Sequence, residues 1–294
     1  MTAAWKNYFA PDTVAGALDV LQRFDGNARV VGGGTDLLVE ARRGLRRPFE
    51  AIVDATRIDG LDTIDEEGEY LVIGCGVTHT RIVNDDRIVR FGQCLAESCG
   101  VIGGPQVRNT GTLAGNVAHA LPAGDGTIGL LALGGDVEVA SQAGTRWIPA
   151  KDTFKGPGRS VIDRHHEILT RLRFKRTAAN EGSAFHRVMR PQGLCLPIIS
   201  VAVRLQLDGD IITGAGISMG PVGPVPWFAE PAADVLIGKP ASQDQYEKAA
   251  EMALEHITLR TSKYRATAEY REAMIRTYLP IILSTAAERA RASS

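Results

Sequence analysis

Two clusters of glycine carry the chemistry that this 294-residue chain could perform. The first is Gly32-Gly33-Gly34-Thr35-Asp36, set between an apolar run and an amphipathic stretch. Three consecutive glycines leave backbone N–H groups uncovered and let the chain enter positive φ at little steric cost. Such a loop feeding a helix N-terminus can hold a phosphate or a diphosphate, and the Thr35 hydroxyl adds a donor. A tight strand-to-helix turn that binds nothing is the competing reading. In the second cluster Gly103-Gly104 comes first, then Gln106, Arg108 and Asn109 supply polar side chains, and Thr110-Gly111-Thr112 and Gly115-Asn116 follow. Asp125 stands nine residues beyond Asn116. Two anion-cradling loops with a downstream carboxylate suit a ligand that has both a diphosphate and a ribose. Capping of the helix predicted over GTIGLLALG is the other reading of Asp125.

Familiar phosphate motifs do not fit. Leu37 stands where GxGxxG needs its third glycine, and GxxxxGK[ST] is absent. Regular βαβ alternation is also lacking, which disfavours a Rossmann fold. No Ser-His-Asp set or paired-carboxylate signature emerges. Cys94 and Cys99 are five apart, with Cys75 and Cys195 distant. Iron–sulfur ligation needs tighter spacing, so all four read as buried free thiols. His79 and His119 read as supports beside the glycine loops, and His165-His166 as a solvated pair. None has ligand partners at metal-binding spacing, so no metal site is expected.

The elements that must position these loops follow from periodicity and punctuation. Asp12 or Thr13 can cap a helix whose Val14, Ala17, Leu18 and Leu21 share one face, with Gly26 just past its end. A strand over 28–31, a helix over 35–43 and a strand at AIVDA complete a small α/β unit. From Tyr70 the pattern turns strand-rich: YLVIGCGVT is a strand, one helical stretch spans 82–98, and DVEVASQAGTRWIPA forms two strands turning at Ala143-Gly144. EILTRLRF adds another, so this sheet is expected to be antiparallel. A third segment begins near Ala184 with a hairpin turning at Asp208-Gly209 and a Pro-rich loop. Helices over 243–258 and 264–285 close it, followed by a short Ala/Arg/Ser tail.

Hydrophobic content of 44%, charged content of 23% and a net charge of -1 describe an ordinary globular chain, with no basic field to favour nucleic acid. No apolar run approaches membrane-spanning length, and the start lacks a secretory h-region. Four cysteines are too few for a disulfide framework, so a cytoplasmic location is expected.

VVGGGTDLL, followed about 70 residues later by IGGPQVRNTGTLAGNVAHALPAGD, resembles the FAD-binding medium subunit of the molybdenum hydroxylases. That group includes carbon monoxide dehydrogenase and the flavin domain of xanthine dehydrogenase. LLALGGDVEVAS, TRWIPAKDTFKG, EILTRLRF, AFHRVMR and KYRATAEYREAM continue the likeness in order, over essentially the whole chain. The resemblance implies an α+β, non-Rossmann FAD-binding fold of the PCMH type with two subdomains. These would cover 1–56 and 57–176, and a C-terminal antiparallel sheet with helices would cover 177–294. It also implies that FAD takes electrons from 2Fe-2S clusters in a small subunit and delivers them to an external acceptor. A large molybdopterin subunit would act on the substrate, in a dimer of heterotrimers without a membrane span. A stand-alone FAD oxidoreductase and a nucleotide-binding assembly protein are the alternatives.

By the same resemblance Val30, Val31, Gly32, Gly33, Gly34, Thr35, Asp36 and Leu37 form one diphosphate loop. Thr110, Gly111, Thr112, Ala114, Gly115 and Asn116 form the other. Thr78 approaches the cofactor, Ile102 lies near the flavin ring, and Gly103 and Gly104 allow close backbone approach. Asp125 anchors the adenosine or ribityl end, and Leu169 borders the flavin or adenine. Many relatives carry a lysine that contacts the flavin within the segment reading AFHRVMR here, leaving His186 and Arg187 as the two candidates. Ala114 stands where glycine is common.

Overall fold

The computed structural model describes residues 5–45, 48–176, 179–190, 196–263 and 265–293. Cys195 and Tyr264, at the expected start of the last helix, lie outside them. The chain opens with β1 (Asn7–Phe9), α1 (Val14–Phe24), β2 (Ala28–Val31), α2 (Leu37–Arg42) and β3 (Ala51–Asp54). The strands are parallel in the order β1-β3-β2. Thr13 is the cap of α1: its Oγ1 accepts the Gly16 N–H at 3.1 Å. Ala17, Leu18 and Leu21 are the buried face, as the spacing predicts, and Asp25 closes the helix in left-handed conformation at φ 37°. α2 begins two residues later than expected, after the positive φ of Gly34.

The second unit holds β4 (Ile64–Glu67), β5 (Tyr70–Gly74) and six short helices: α3 (His79–Val83), α4 (Asp86–Phe91), α5 (Gln93–Gly100), α6 (Pro105–Arg108), α7 (Leu113–His119) and α8 (Asp125–Ala132). Then come β6 (Asp136–Ser141), β7 (Gly144–Pro149), the small ribbon β8 (Phe154–Gly156) with β9 (Arg159–Ser160), and β10 (Ile168–Lys175). Its five-stranded sheet is antiparallel in the order β4-β5-β10-β6-β7. The single helix expected over 82–98 is instead three pieces. Asp85 stops the first and caps the second, its Oδ1 accepting from the N–H of Arg87 and of Ile88. Gly92 divides the second from the third with Phe174 and Leu133 pressed against its bare Cα, where a Cβ would meet Phe174 at 2.8 Å. Long-range packing overrides the local helical period here.

The third unit is the antiparallel sheet of β11 (Glu181–Val188), β12 (Ile199–Asp208), β13 (Ile211–Gly220) and β14 (Trp227–Phe228), in that order. Three helices accompany it: α9 (Glu230–Asp234), α10 (Gln243–Glu255) and α11 (Ala268–Ala292). The last strand and α9 lie in the segment expected to be loop. The Ala/Arg/Ser tail is helical almost to its end, because Ala286, Ala287 and Ala290 are core residues over β11. A Cβ on Gly182 would lie 2.2 Å from the Ala286 carbonyl oxygen, so helix and strand touch through backbone.

The molecule is therefore α+β, with an antiparallel sheet and helices after the two-part first half. One apolar core serves residues 17–174, joined by Ala202, and a second serves residues 184–290. Among the described residues no helix is long and apolar enough to cross a membrane.

Candidate functional site

The two glycine clusters, far apart in sequence, pack directly on each other. Gly33 lies so near the second cluster that a Cβ on it would fall 1.9 Å from the Thr110 carbonyl oxygen and 2.7 Å from the Gly111 nitrogen. A Cβ on Gly32 would meet Thr112 Oγ1 at 2.7 Å. Gly34 adopts φ 69°, the turn that sends the chain into α2. Only residues without side chains can line this seam. The second cluster is itself held from beneath. Gly111 accepts from the His79 N–H at 2.9 Å, and Thr78 and Thr112 form an isolated bridge. Thr112 Oγ1 accepts from Gly115 N–H at 3.0 Å to cap α7, while Asn116 Oδ1 accepts from the backbone N–H and hydroxyl of Thr127, each at 3.0 Å. Gly103 takes φ 50° with Val107 against its open side, and Gly104 is the cap residue of α6 ahead of Pro105.

The seam opens into a cavity of about 1150 Å³. Drug-sized ligands occupy roughly 300–1,000 Å³, so this volume suits a dinucleotide. Stretches within 29–37, 100–125 and 155–169 contribute to its walls together with Arg187, Met189, Leu196, Arg260 and Arg265, so both halves of the chain build it. Arg29, Arg108, Lys155, Arg159, Arg164, Arg187, Arg260 and Arg265 line it, against the carboxylates Asp36, Asp125 and Glu167. Glu167 is already paired with Arg146 at 2.6 Å and Asp125 with Arg187 at 2.9 Å. An enclosed surface with this excess of cations favours an anionic ligand. Apart from Arg108 and Arg187, sequence reasoning did not select these cations. The segment KGPGRS, a turn rich in glycine and positive charge, is the signal that could have pointed to Lys155 and Arg159.

Of the residues singled out from sequence, the cavity wall brings together Val30, Val31, Gly32, Gly33, Gly34, Thr35, Asp36 and Leu37 with Ile102, Gly103, Gly111, Thr112, Ala114, Gly115, Asn116, Asp125, Leu169 and Arg187. Thr78, Gly104, Thr110 and His186 lie off it and support it from behind or face elsewhere. The alternation of β11 sends His186 and Arg187 to opposite sides, as neighbouring side chains on a strand point to opposite faces. His186 stacks on Tyr278 of α11 with ring centroids 4.5 Å apart, and Arg187 faces the cavity.

Asp125 does not cap α8. It occupies the first turn, 4% exposed, and its carboxylate accepts from the Ser200 hydroxyl at 2.5 Å and from Arg187 Nη1 at 2.9 Å. Burial pushes its pKa up, opposed by the Ser200 hydrogen bond and the Arg187 charge. His79 lies on the cavity wall and in the core at once, with Nδ1 3.4 Å from Cys99 Sγ. Burial, helped by the charge of Arg108, lowers its pKa to about 4, so the ring is neutral near pH 7. His119 sits 3.6 Å from Glu40, and His166 pairs with Asp163 in the open. Cys75, Cys94 and Cys99 are buried thiols, the first two with pKa raised by burial to about 12. Among the described residues no group of three His, Cys, Asp or Glu side chains could hold a metal.

Comparison with known proteins matches the same two-part plan. Residues 3–174 match the FAD binding domain in molybdopterin dehydrogenase, and residues 183–286 match the CO dehydrogenase flavoprotein C-terminal domain. The chain is 31% identical to the carbon monoxide dehydrogenase medium chain of Afipia carboxidovorans over 97% of its length and 96% of that protein. It is 29% identical to the nicotinate dehydrogenase FAD-subunit of Eubacterium barkeri, covering 86% of each chain. Among solved structures it superposes on a chain of the carbon monoxide dehydrogenase from Hydrogenophaga pseudoflava that lacks the Mo-pyranopterin moiety. The TM-score is 0.91 at 27% identity, over 97% of this chain and 98% of that one.

Proposed function

Because the chain belongs to the FAD-binding subunits of the molybdopterin-containing dehydrogenases, we propose that it is the electron-transfer member of a heterotrimeric molybdenum hydroxylase. In this reading it takes electrons from 2Fe-2S clusters of a small subunit and passes them to an external acceptor. A large molybdopterin subunit hydroxylates the substrate, and the assembly is a cytoplasmic dimer of heterotrimers. Residues 1–176 form the FAD-binding domain, in subdomains of about 1–56 and 57–176, and 177–294 form the C-terminal domain. The separation of the apolar cores at residues 174–184 supports that division.

One observation carries the cofactor assignment: the seam where Gly33 meets the Thr110 carbonyl, open on one side to a large cationic cavity. The residues fit FAD. Backbone N–H groups at 33–35 and at 112–114 would hold the diphosphate, while those of Gly111 and Gly115 are taken by the Val107 carbonyl and the Thr112 hydroxyl. Ile102, Leu169 and the other apolar wall residues would exclude water from the ring. Asp125 acts through Arg187: the ion pair fixes the guanidinium at the cavity wall, and Ser200 holds the carboxylate in place. FAD, when bound, supplies the redox chemistry, and the chain's part is to place it and set the charge around it. No side chain of this chain is needed as an acid or base on the hydroxylated substrate.

The test is isolation of the native complex with a visible spectrum and metal analysis. A yellow chain that co-purifies with an iron–sulfur protein and a large molybdenum protein is expected. A colourless complex, or one without molybdenum and iron, would refute the proposal. A yellow chain active without partners would make it a stand-alone oxidoreductase instead.

A further inference from the structure

Arg187, Ser200 and Gly220 stand side by side in the third sheet. Arg187 pairs with Ser200 across β11 and β12, and Ser200 pairs with Gly220 across β12 and β13. Residues directly opposed on neighbouring strands share one face of the sheet. All three bear on a single stretch of the cavity wall. Arg187 and Ser200 both donate to the Asp125 carboxylate, and a Cβ on Gly220 would fall 2.2 Å from the Pro122 carbonyl oxygen. Pro122, Ala123, Gly124 and Asp125 all line the cavity. The row is the shelf on which that wall rests, and its position sets where the Arg187 guanidinium stands.

Arg271, in the first turn of α11, holds this shelf from the other face, where Ile275 and Leu279 join Ile199, Val201 and Met219 in the second core. It is 0% exposed and does not line the cavity. Its Nη1 donates to the carbonyl of Ile198, two residues before Ser200, and to that of Pro221, the residue after Gly220. One nitrogen therefore ties the start of β12 to the end of β13 just beyond the row. The Nε and Nη2 groups have no hydrogen-bond partner among the described residues. Arginine stays charged in proteins, and a buried cation with unmet N–H groups is costly. A methionine of similar length would remove that cost but leave both carbonyls unheld.

We propose that Arg271 is a positioning residue for the cofactor cavity: it keeps Arg187, Ser200 and Gly220 in register and so fixes both the Arg187 guanidinium and the wall at 122–125. What the guanidinium supplies is the placement of two strand ends rather than stability of the core. This rests on FAD as the occupant of the cavity.

The test measures FAD affinity of the full apo chain by fluorescence quenching, beside a urea midpoint without FAD. Arg271→Met removes both bonds, whereas Arg271→Lys offers a nitrogen that can replace Nη1 at both carbonyls. The expected result is FAD binding weakened at least about tenfold in Arg271→Met and largely retained in Arg271→Lys. In a chain already carrying Arg187→Met and Asp125→Asn, the same Arg271→Met change should weaken binding by a clearly smaller factor, because residues acting as one unit are not additive. Unchanged affinity in Arg271→Met, an equally deep loss in Arg271→Lys, or the same factor in both backgrounds would overturn the proposal and leave Arg271 a core residue only. Should Arg271→Met not fold, Arg271→Gln takes its place in the cycle, and failure of both to fold overturns the proposal as well. If the natural chain takes up no FAD, the FAD reading fails by itself. The cycle is then read on urea midpoints, where a smaller loss from Arg271→Met in the second background sustains the link to Arg187 and equal losses end it.

Discussion

Gly33→Ala isolates the cradle from the rest of the fold. The new methyl carbon would lie 1.9 Å from the Thr110 carbonyl oxygen, 2.3 Å from its carbon and 2.7 Å from the Gly111 nitrogen. All three are backbone atoms, so no side chain can rotate away. To reach even 3.0 Å from that oxygen the two loops must part by about 1.1 Å. A donor at roughly 2.9 Å from a phosphate oxygen would then sit near 4.0 Å, beyond hydrogen-bond range. Overpacking of this kind costs about 1–3 kcal/mol. If the strain falls on the bound geometry, FAD binds roughly fivefold to 150-fold more weakly, at tenfold per 1.4 kcal/mol. The assay is quenching of FAD fluorescence during titration of the apo chain, beside a melting curve without FAD. Gly223→Ala is the control, because a Cβ there has nothing within 4 Å and φ is not positive. If Gly33→Ala binds FAD as the natural chain does, the diphosphate is not held at this seam and the cofactor argument fails.

Other perturbations test the surroundings. Arg187→Met leaves the Asp125 carboxylate buried without its cation, so unfolding by urea should come earlier by about 3–5 kcal/mol, with Asp125→Asn in the same background restoring part of it. His79, with a folded pKa of about 4 against 6.5, binds its proton more readily in the unfolded chain. Its neutral burial therefore stabilises fully above pH 6.5, and that stability is lost as pH falls toward 4, a swing of about 3 kcal/mol. Urea midpoints of the natural chain and of His79→Leu at pH 4.5 and 7 should show a flatter response in the variant, and parallel responses would refute the assignment. Gly92→Ala should cost about 1–3 kcal/mol in chemical unfolding by driving Phe174 and Leu133 from the core. Cys94 and Cys99, fully buried, should react with a thiol reagent only at the rate of unfolding, and rapid labelling of the native chain would contradict their placement.

The sequence made the cradle readable because glycine spacing encodes backbone approach. Gly32, Gly33 and Gly34 announced a site where side chains could not be, the second cluster offered itself as the partner loop, and the resemblance supplied the identity of the ligand. Strands with period-two patterns were equally legible, and the two hairpin turns fall at 142–143 and 209–210, each one residue from the expected 143–144 and 208–209. Two kinds of feature were not. The break at Gly92 comes from contact with Phe174, some 80 residues away, which local periodicity cannot sense, whereas the break at Asp85 is a local cap that the apolar period obscures. The cavity cations at 155–164 and 260–265 belong to distant segments that meet only in the fold. The helical tail was hidden for a similar reason: alanines and arginines look featureless until Gly182 gives them a flat strand to lie on. Between His186 and Arg187 the residue types were indifferent, and only the facing of β11 separated them.

The bond from Asp125 to Ser200 and Arg187 crosses from the first core to the second. During synthesis the first half leaves the ribosome earlier, with both glycine loops complete. Until β11 and β12 are made, however, its carboxylate has no cation and one wall of the pocket is missing. A nascent chain halted near residue 180 would thus present a half-open clasp, and secure capture of the nucleotide waits on the last third of translation.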